Sequence, residues 1–158
     1  MKLRDKLVEL AIKEVGVTEI NGTNTGPRVN QYKEDTWLDP KQNWPWCAAF
    51  ICWLFDEAMK GGQYSFKRPR TPSAFGFEDW CLKQDRSVLL KRSGKISKGD
   101  IVIFKFSHIG IAIADETSQG FVRCVEGNTD AAGSREGGGV FIKVRPRKSI
   151  RSFIKVMV

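Results

Sequence analysis

The unbroken apolar run Trp46-Cys47-Ala48-Ala49-Phe50-Ile51-Cys52-Trp53-Leu54-Phe55 constrains this chain more than any other stretch. A helix that is apolar all round cannot lie on a surface, so it must be a central core element packed against a sheet. Its entry is marked too. Pro45 suits the first helical position and Asn43 or Trp44 the capping region, so a helix is predicted over residues 45 to 60, with Cys47 near its third position. Gly61-Gly62 ends it. A thiol placed there feels the positive end of the helix dipole, which favours the nucleophilic thiolate. The chain has one histidine, His108, and it opens a predicted strand. A helix-start cysteine, one imidazole and a polar residue to orient the ring form the minimal set for cysteine-based hydrolysis.

Other elements follow from periodicity and punctuation. Leu3, Leu7, Leu10, Ala11 and Val15 recur at helical spacing, predicting a helix over residues 2 to 15. Residues 22 to 43 are rich in Gly, Pro, Asn and Asp, with one short helix expected over Pro27 to Lys33. A third helix is predicted over 72 to 83. Strands are then expected over 101 to 106, 108 to 114, 121 to 128, 140 to 144 and 152 to 156. Helices followed by an antiparallel meander argue an α+β fold, with N-terminal helices packed on an antiparallel sheet of about five or six strands. The 158 residues suit a single domain, 1–158, with no repeat or linker.

Composition removes several classes. No 18-residue apolar span exists, so no transmembrane helix is expected. Met1 to Lys6 run into a mixed-charge helix without an apolar h-region, so no Sec signal peptide is expected. Four cysteines, Cys47, Cys52, Cys81 and Cys124, are read as free thiols of a reducing compartment. No CxxC or HxxxH spacing supports zinc, and no metal or other cofactor is expected. The net charge of +8 is clustered at Lys67-Arg68-Pro69-Arg70, at Lys91 to Lys98, and along Lys143, Arg145, Arg147, Lys148, Arg151 and Lys155. Such clusters suit a polyanion or a plainly solvated surface, and charge alone does not decide between them.

Strand alternation sharpens the site. His108, Gly110, Ala112 and Ala114 share one face and Ile109, Ile111 and Ile113 the other. The small residues beside His108 leave room for the cysteine-bearing helix to lie above them. On the next strand Val122, Cys124, Glu126 and Asn128 share a face. A turn over 115 to 120 puts position 108 opposite Gly127, and a one-residue adjustment brings Glu126 or Asn128 opposite His108. Either could accept the Nδ1 proton and leave Nε2 facing the thiol, with Glu126 favoured as the main orienter.

Pro45-Trp46-Cys47-Ala48-Ala49-Phe50, Gly99-Asp100 with Ile101 to Phe104, His108-Ile109-Gly110-Ile111 and Glu126-Gly127-Asn128 together resemble a CHAP domain. That family belongs with the NlpC/P60-type cysteine peptidases of papain-like fold that cut peptidoglycan. The segment Gly26 to Tyr32 and the closing Ile150 to Phe153 are similar as well. The resemblance implies Cys47 as nucleophile, His108 as general base, and Glu126 and Asn128 completing the catalytic site. It implies cleavage of a cell-wall amide, either amidase or endopeptidase, with the Cys47 N–H in the oxyanion hole. Tyr32, Gln42, Asn43 and Trp46 are the candidate substrate-binding residues. Some CHAP domains bind calcium ahead of the cysteine. Glu34, Asp35 and Asp39 are interrupted here by Pro40 and Lys41, and no calcium is predicted.

A compact phage endolysin, held in the host cytoplasm until a holin releases it, fits these implications. The expected partners are peptidoglycan and, through the basic clusters, anionic wall polymers; a monomer without a nucleic-acid partner is expected. A secreted antibacterial effector with the same chemistry is one alternative. A non-enzymatic basic module for wall or nucleic acid is another, hinted at by Phe104-Lys105-Phe106.

Overall fold

The computed structural model describes residues 1–130, 133 and 137–158. Four helices, α1 (Leu3–Glu14), α2 (Pro27–Glu34), α3 (Cys47–Met59) and α4 (Gly76–Leu82), precede or flank six strands. These are β1 (Val88–Lys91), β2 (Ile101–Phe104), β3 (His108–Ala112), β4 (Phe121–Thr129), β5 (Gly139–Pro146) and β6 (Ile150–Val156). They form one antiparallel sheet in the order β1-β6-β2-β3-β4-β5. The fold is α+β, as the element order predicts. Among the described residues no helix is long and apolar enough to cross a membrane.

Helix α3 is the central element that its composition demands: Cys47 through Phe55 are all buried. It packs on β3 and β4, with α1 and α2 against it. The helix begins later than expected. Trp46 is the capping residue, at φ −118° and ψ 17°, so Cys47 is the first helical residue and Pro45 lies outside. The reason is tertiary. The Trp46 indole is fully buried beside Tyr32 and donates Nε1–H to Glu19 Oε2 at 2.8 Å, which fixes the chain in a turn there.

The two faces of the sheet carry separate cores. Ile101, Ile103, Ile109, Ile111, Val125, Ile154 and Val156 join the helices in the large cluster. Val102, Phe104, Ala112, Val122, Cys124 and Phe153 pack with Ile96 and Ile150 in a smaller one on the opposite face. This corrects one expectation: α3 lies on the isoleucine face of β3, not over His108, Gly110 and Ala112. Large β-branched side chains bury more apolar area against a helix than small ones do, and that decides which face the helix covers.

Several boundaries move for local reasons. β2 stops at Phe104 because Lys105 to Ser107 form the turn to β3, with Ser107 at φ +59°. α4 starts at Gly76, after Pro72 and a Ser73 hydroxyl that accepts the Gly76 N–H at 3.1 Å. β1 was missed by the pattern: its four residues, Val88–Lys91, show burial only at alternate positions and pair with β6 alone. All four cysteines are free and buried.

Candidate active site

The site stands where the N-terminus of α3 meets the start of β3. Cys47, as the first helical residue, has a backbone N–H with no partner inside the helix, as do the residues just after it. His108, the first residue of β3, is fully buried. Its ring stacks on Phe104 at 5.7 Å and on Phe106 at 5.6 Å between centroids. Nε2 lies 2.9 Å from Glu126 Oε1. Nδ1 makes no hydrogen bond of regular geometry, and the Cys47 thiol is the polar side chain besides Glu126 that acts on the ring. Nδ1 is therefore the nitrogen left for the thiol. The expected roles of the two nitrogens are exchanged, because the carboxylate approaches along β4 from the Nε2 side.

Glu126 reaches the ring diagonally. The β3–β4 register pairs Ile111 with Val125 and Ala112 with Cys124. Continued, it sets Asn128 level with His108 and Glu126 level with Gly110. A Cβ on Gly110 would lie 2.7 Å from Glu126 Cγ, so the carboxylate arm crosses the space the glycine leaves. Beyond Glu126 the β4–β5 register slips: Glu126 pairs with Phe141 but Thr129 with Gly139. Gly127 and Asn128 thus oppose the single residue Val140, a β-bulge of the kind common beside functional sites. Asn128 is buried and takes φ +57°, which asparagine tolerates better than most residues. Gly127 faces α3, where a Cβ would meet Trp46 at 2.9 Å and Phe50 at 3.0 Å.

Electrostatics follow from these contacts. Burial pulls the imidazolium of His108 down, but the Cys47 thiol and the Glu126 carboxylate outweigh it and push the pKa up to about 9. Burial raises the Glu126 carboxyl, yet Arg145 and His108 hold it below the usual range. Arg145 on β5 is the partner that sequence reasoning missed, having counted it among the basic surface clusters. Its Nε donates to Glu126 Oε2 at 2.8 Å and its Nη2 to Oε1. The guanidinium also lies over Phe104 at 5.1 Å and Phe106 at 5.3 Å. Register alone pairs Arg145 with Val122, four residues from Glu126, so only the side chain's lean along the strand reveals the contact.

Cys47 opens into a groove with Trp37, Leu38, Trp44, Pro72, Ala74 and Ser107 among its walls. Trp37 is 69 % exposed there. The lining comes from the long loop ahead of α3 and from the segment ahead of α4, and one buried lysine holds the former. Lys33 Nζ donates to Asn24 O at 3.0 Å and Gln42 O at 2.6 Å, and it lies 5.0 Å over the Trp44 ring. Burial pushes the Lys33 ammonium below its ordinary value.

The four candidate substrate residues fall elsewhere. Tyr32 and Trp46 are fully buried, the former donating its hydroxyl to Glu14 Oε1 at 2.7 Å; they brace the helices and do not line the groove. Gln42 and Asn43 are exposed in the loop entering α3, where Asn43 Oδ1 accepts from Asn24 Nδ2 at 2.6 Å. Among the described residues no group of three or more His, Cys, Asp or Glu side chains could hold a metal.

No protein-family model matches the chain, and no curated protein matches it. A solved structure does: the crystal structure of a wild type endolysin, LysIME-EF1, at a TM-score of 0.58 and 17 % identity. The match covers 98 % of this chain and 64 % of that one, so this chain spans under two thirds of that protein's length. At that identity the likeness is one of fold.

Proposed function

We propose that this chain is a cysteine-dependent peptidoglycan hydrolase of the CHAP type, acting as a phage endolysin. The observation that carries the proposal is the chain Cys47–His108–Glu126, buried except where Cys47 lines a groove, in a molecule with one imidazole. The shared fold with an endolysin supports the cell-wall substrate.

In this reading the Cys47 proton passes to His108 Nδ1, and the thiolate attacks the carbonyl carbon of a wall amide. The C–N bond breaks as the imidazolium returns the proton to the leaving amine. Water, deprotonated by the same ring, then opens the thioester and restores the thiol. The N–H groups at the start of α3, which have no partner inside the helix, receive the oxyanion. Glu126 holds Nε2–H and stabilises the imidazolium, with Asn128 supporting at the bulge. Trp37 and Trp44 offer apolar faces to the substrate. The basic clusters hold the protein, as a monomer, to anionic wall polymers.

Digestion of purified peptidoglycan, read by mass spectrometry, tests this. Wild type should release peptides freed whole from glycan (amidase) or cut stem and bridge peptides (endopeptidase). Cys47→Ala should lower the rate by about 10⁴-fold or more while keeping the circular dichroism spectrum. Equal release by the variant, or no release from any wall chemotype, overturns the proposal.

A further inference from the structure

The catalytic reading gives Arg145 no part, yet this residue is built into the site more tightly than into the surface. Its guanidinium contacts both oxygens of a carboxylate that is 0 % exposed, and its own side chain is only 13 % exposed. Nη2 also donates to Gly133 O at 3.1 Å. The same guanidinium covers the two rings that stack on His108. Arg145 thus touches both things that hold the imidazole: its hydrogen-bond acceptor and its aromatic bed.

We infer that Arg145 is a positioning residue of the proposed catalytic site, fixing Glu126 against His108 and tempering its charge so that the imidazolium can release its proton. The inference rests on the cysteine-hydrolase reading. The physical reason is charge balance in a buried cluster. An unneutralised carboxylate beside Nε2 would bind the ring proton too firmly, and a general acid that holds its proton too firmly transfers it slowly. A guanidinium on that carboxylate offsets part of the field. Its planar fork also fixes the carboxylate plane, which a point charge cannot do. The other titratable groups facing this cluster are Cys47 from α3, Cys124 on β4, whose thiol burial keeps neutral, and Asp130, which acts on Arg145.

The single histidine makes the test direct, since every imidazole resonance belongs to His108. In Arg145→Gln the His108 titration midpoint, followed by NMR, should rise by about one pH unit. Peptidoglycan turnover at neutral pH should fall about tenfold. Arg145→Lys keeps the charge and loses the fork, so its midpoint should stay near that of wild type while turnover still drops. An unmoved midpoint in Arg145→Gln overturns the inference and leaves Arg145 a staple of β5. Should Arg145→Gln not fold, Arg145→Lys decides: wild-type turnover there overturns the positioning role. The titration needs no substrate. A shifted midpoint in a protein that cuts no peptidoglycan would sink the functional proposal and keep this one.

Discussion

Of the buried glutamates that hold arginines, Glu78 and Glu126 differ in what stands on the far side of the carboxylate. Glu78 on α4 takes Arg151 at 3.1–3.2 Å and Arg92 at 3.3 Å, and accepts the Ser152 hydroxyl at 2.6 Å. Glu126 takes Arg145 and then the imidazole of His108. Burial raises both carboxyls and hydrogen-bonded partners more than reverse it, so both sit below the usual range. The same electrostatics serve two ends. At Glu78 every partner is a group that never changes charge in the working range, and the node ties α4 to β6. At Glu126 one partner is an imidazole with a thiol on its other side, and in the proposed mechanism the node is where a proton moves. A buried ion pair is a poor guide to function until the titratable neighbour is known.

Exchanging the two carboxylates for amides puts the largest strain on this comparison. Glu126→Gln should cut peptidoglycan turnover by about 10²- to 10⁴-fold, since an amide orients the ring without stabilising its charge. Glu78→Gln should leave turnover within about twofold and lower the urea midpoint instead. Comparable activity losses would erase the distinction. Next is pH. The His108 midpoint, raised from 6.5 to about 9, places its stabilisation in full below 6.5 and removes it as pH rises through about 9. Turnover should therefore fall about tenfold per unit above that value. The Glu78 node works in the opposite direction: its carboxyl is depressed, so its stabilisation holds at neutral pH and fades on acidification below 4.5. An alkaline limb starting near 6.5 would mean that the thiol and Glu126 do not hold the imidazolium.

Gly110→Ala is a finer probe. The added methyl meets Glu126 Cγ at 2.7 Å, so it should destabilise by about 1–3 kcal/mol and displace the carboxylate from Nε2. Wild-type turnover in that variant would show that the diagonal reach of Glu126 is dispensable. The smallest effect concerns the surface. Raising salt to about 0.5 M should weaken wall binding several-fold while leaving the buried Glu126 node alone. Salt-insensitive binding would return the exposed basic clusters to a role in solubility.

How much of this could be read from the chain varies residue by residue. Cys47 at a helix start and His108 at a strand start were legible, because an all-apolar run and a two-residue period are local signals. Their approach was legible only in outcome. The helix covers the isoleucine face of β3, and the thiol meets the ring around the end of the strand, near Ser107. The nitrogen facing the thiol was assigned wrongly for the same reason. Tyr32 on α2 and Trp46, the residue before Cys47, turn out to brace the helix junction. Arg145 was invisible, since a cation in a basic stretch gives no sign that its side chain folds back onto a buried carboxylate.

By itself, then, the sequence determined the α+β order of elements, the central helix, and the pairing of one cysteine with one histidine. Hydrophobic period and helix-end chemistry act within a few residues, and a single chain displays them directly. Only the tertiary structure decided which sheet face the helix covers, that a bulge at Gly127 and Asn128 interrupts the regular ladder, and that Arg145 completes the Glu126–His108 pair. Each of these is a contact between residues distant in sequence. Side-chain reach and competition for buried area set such contacts, and neither quantity is written in local order.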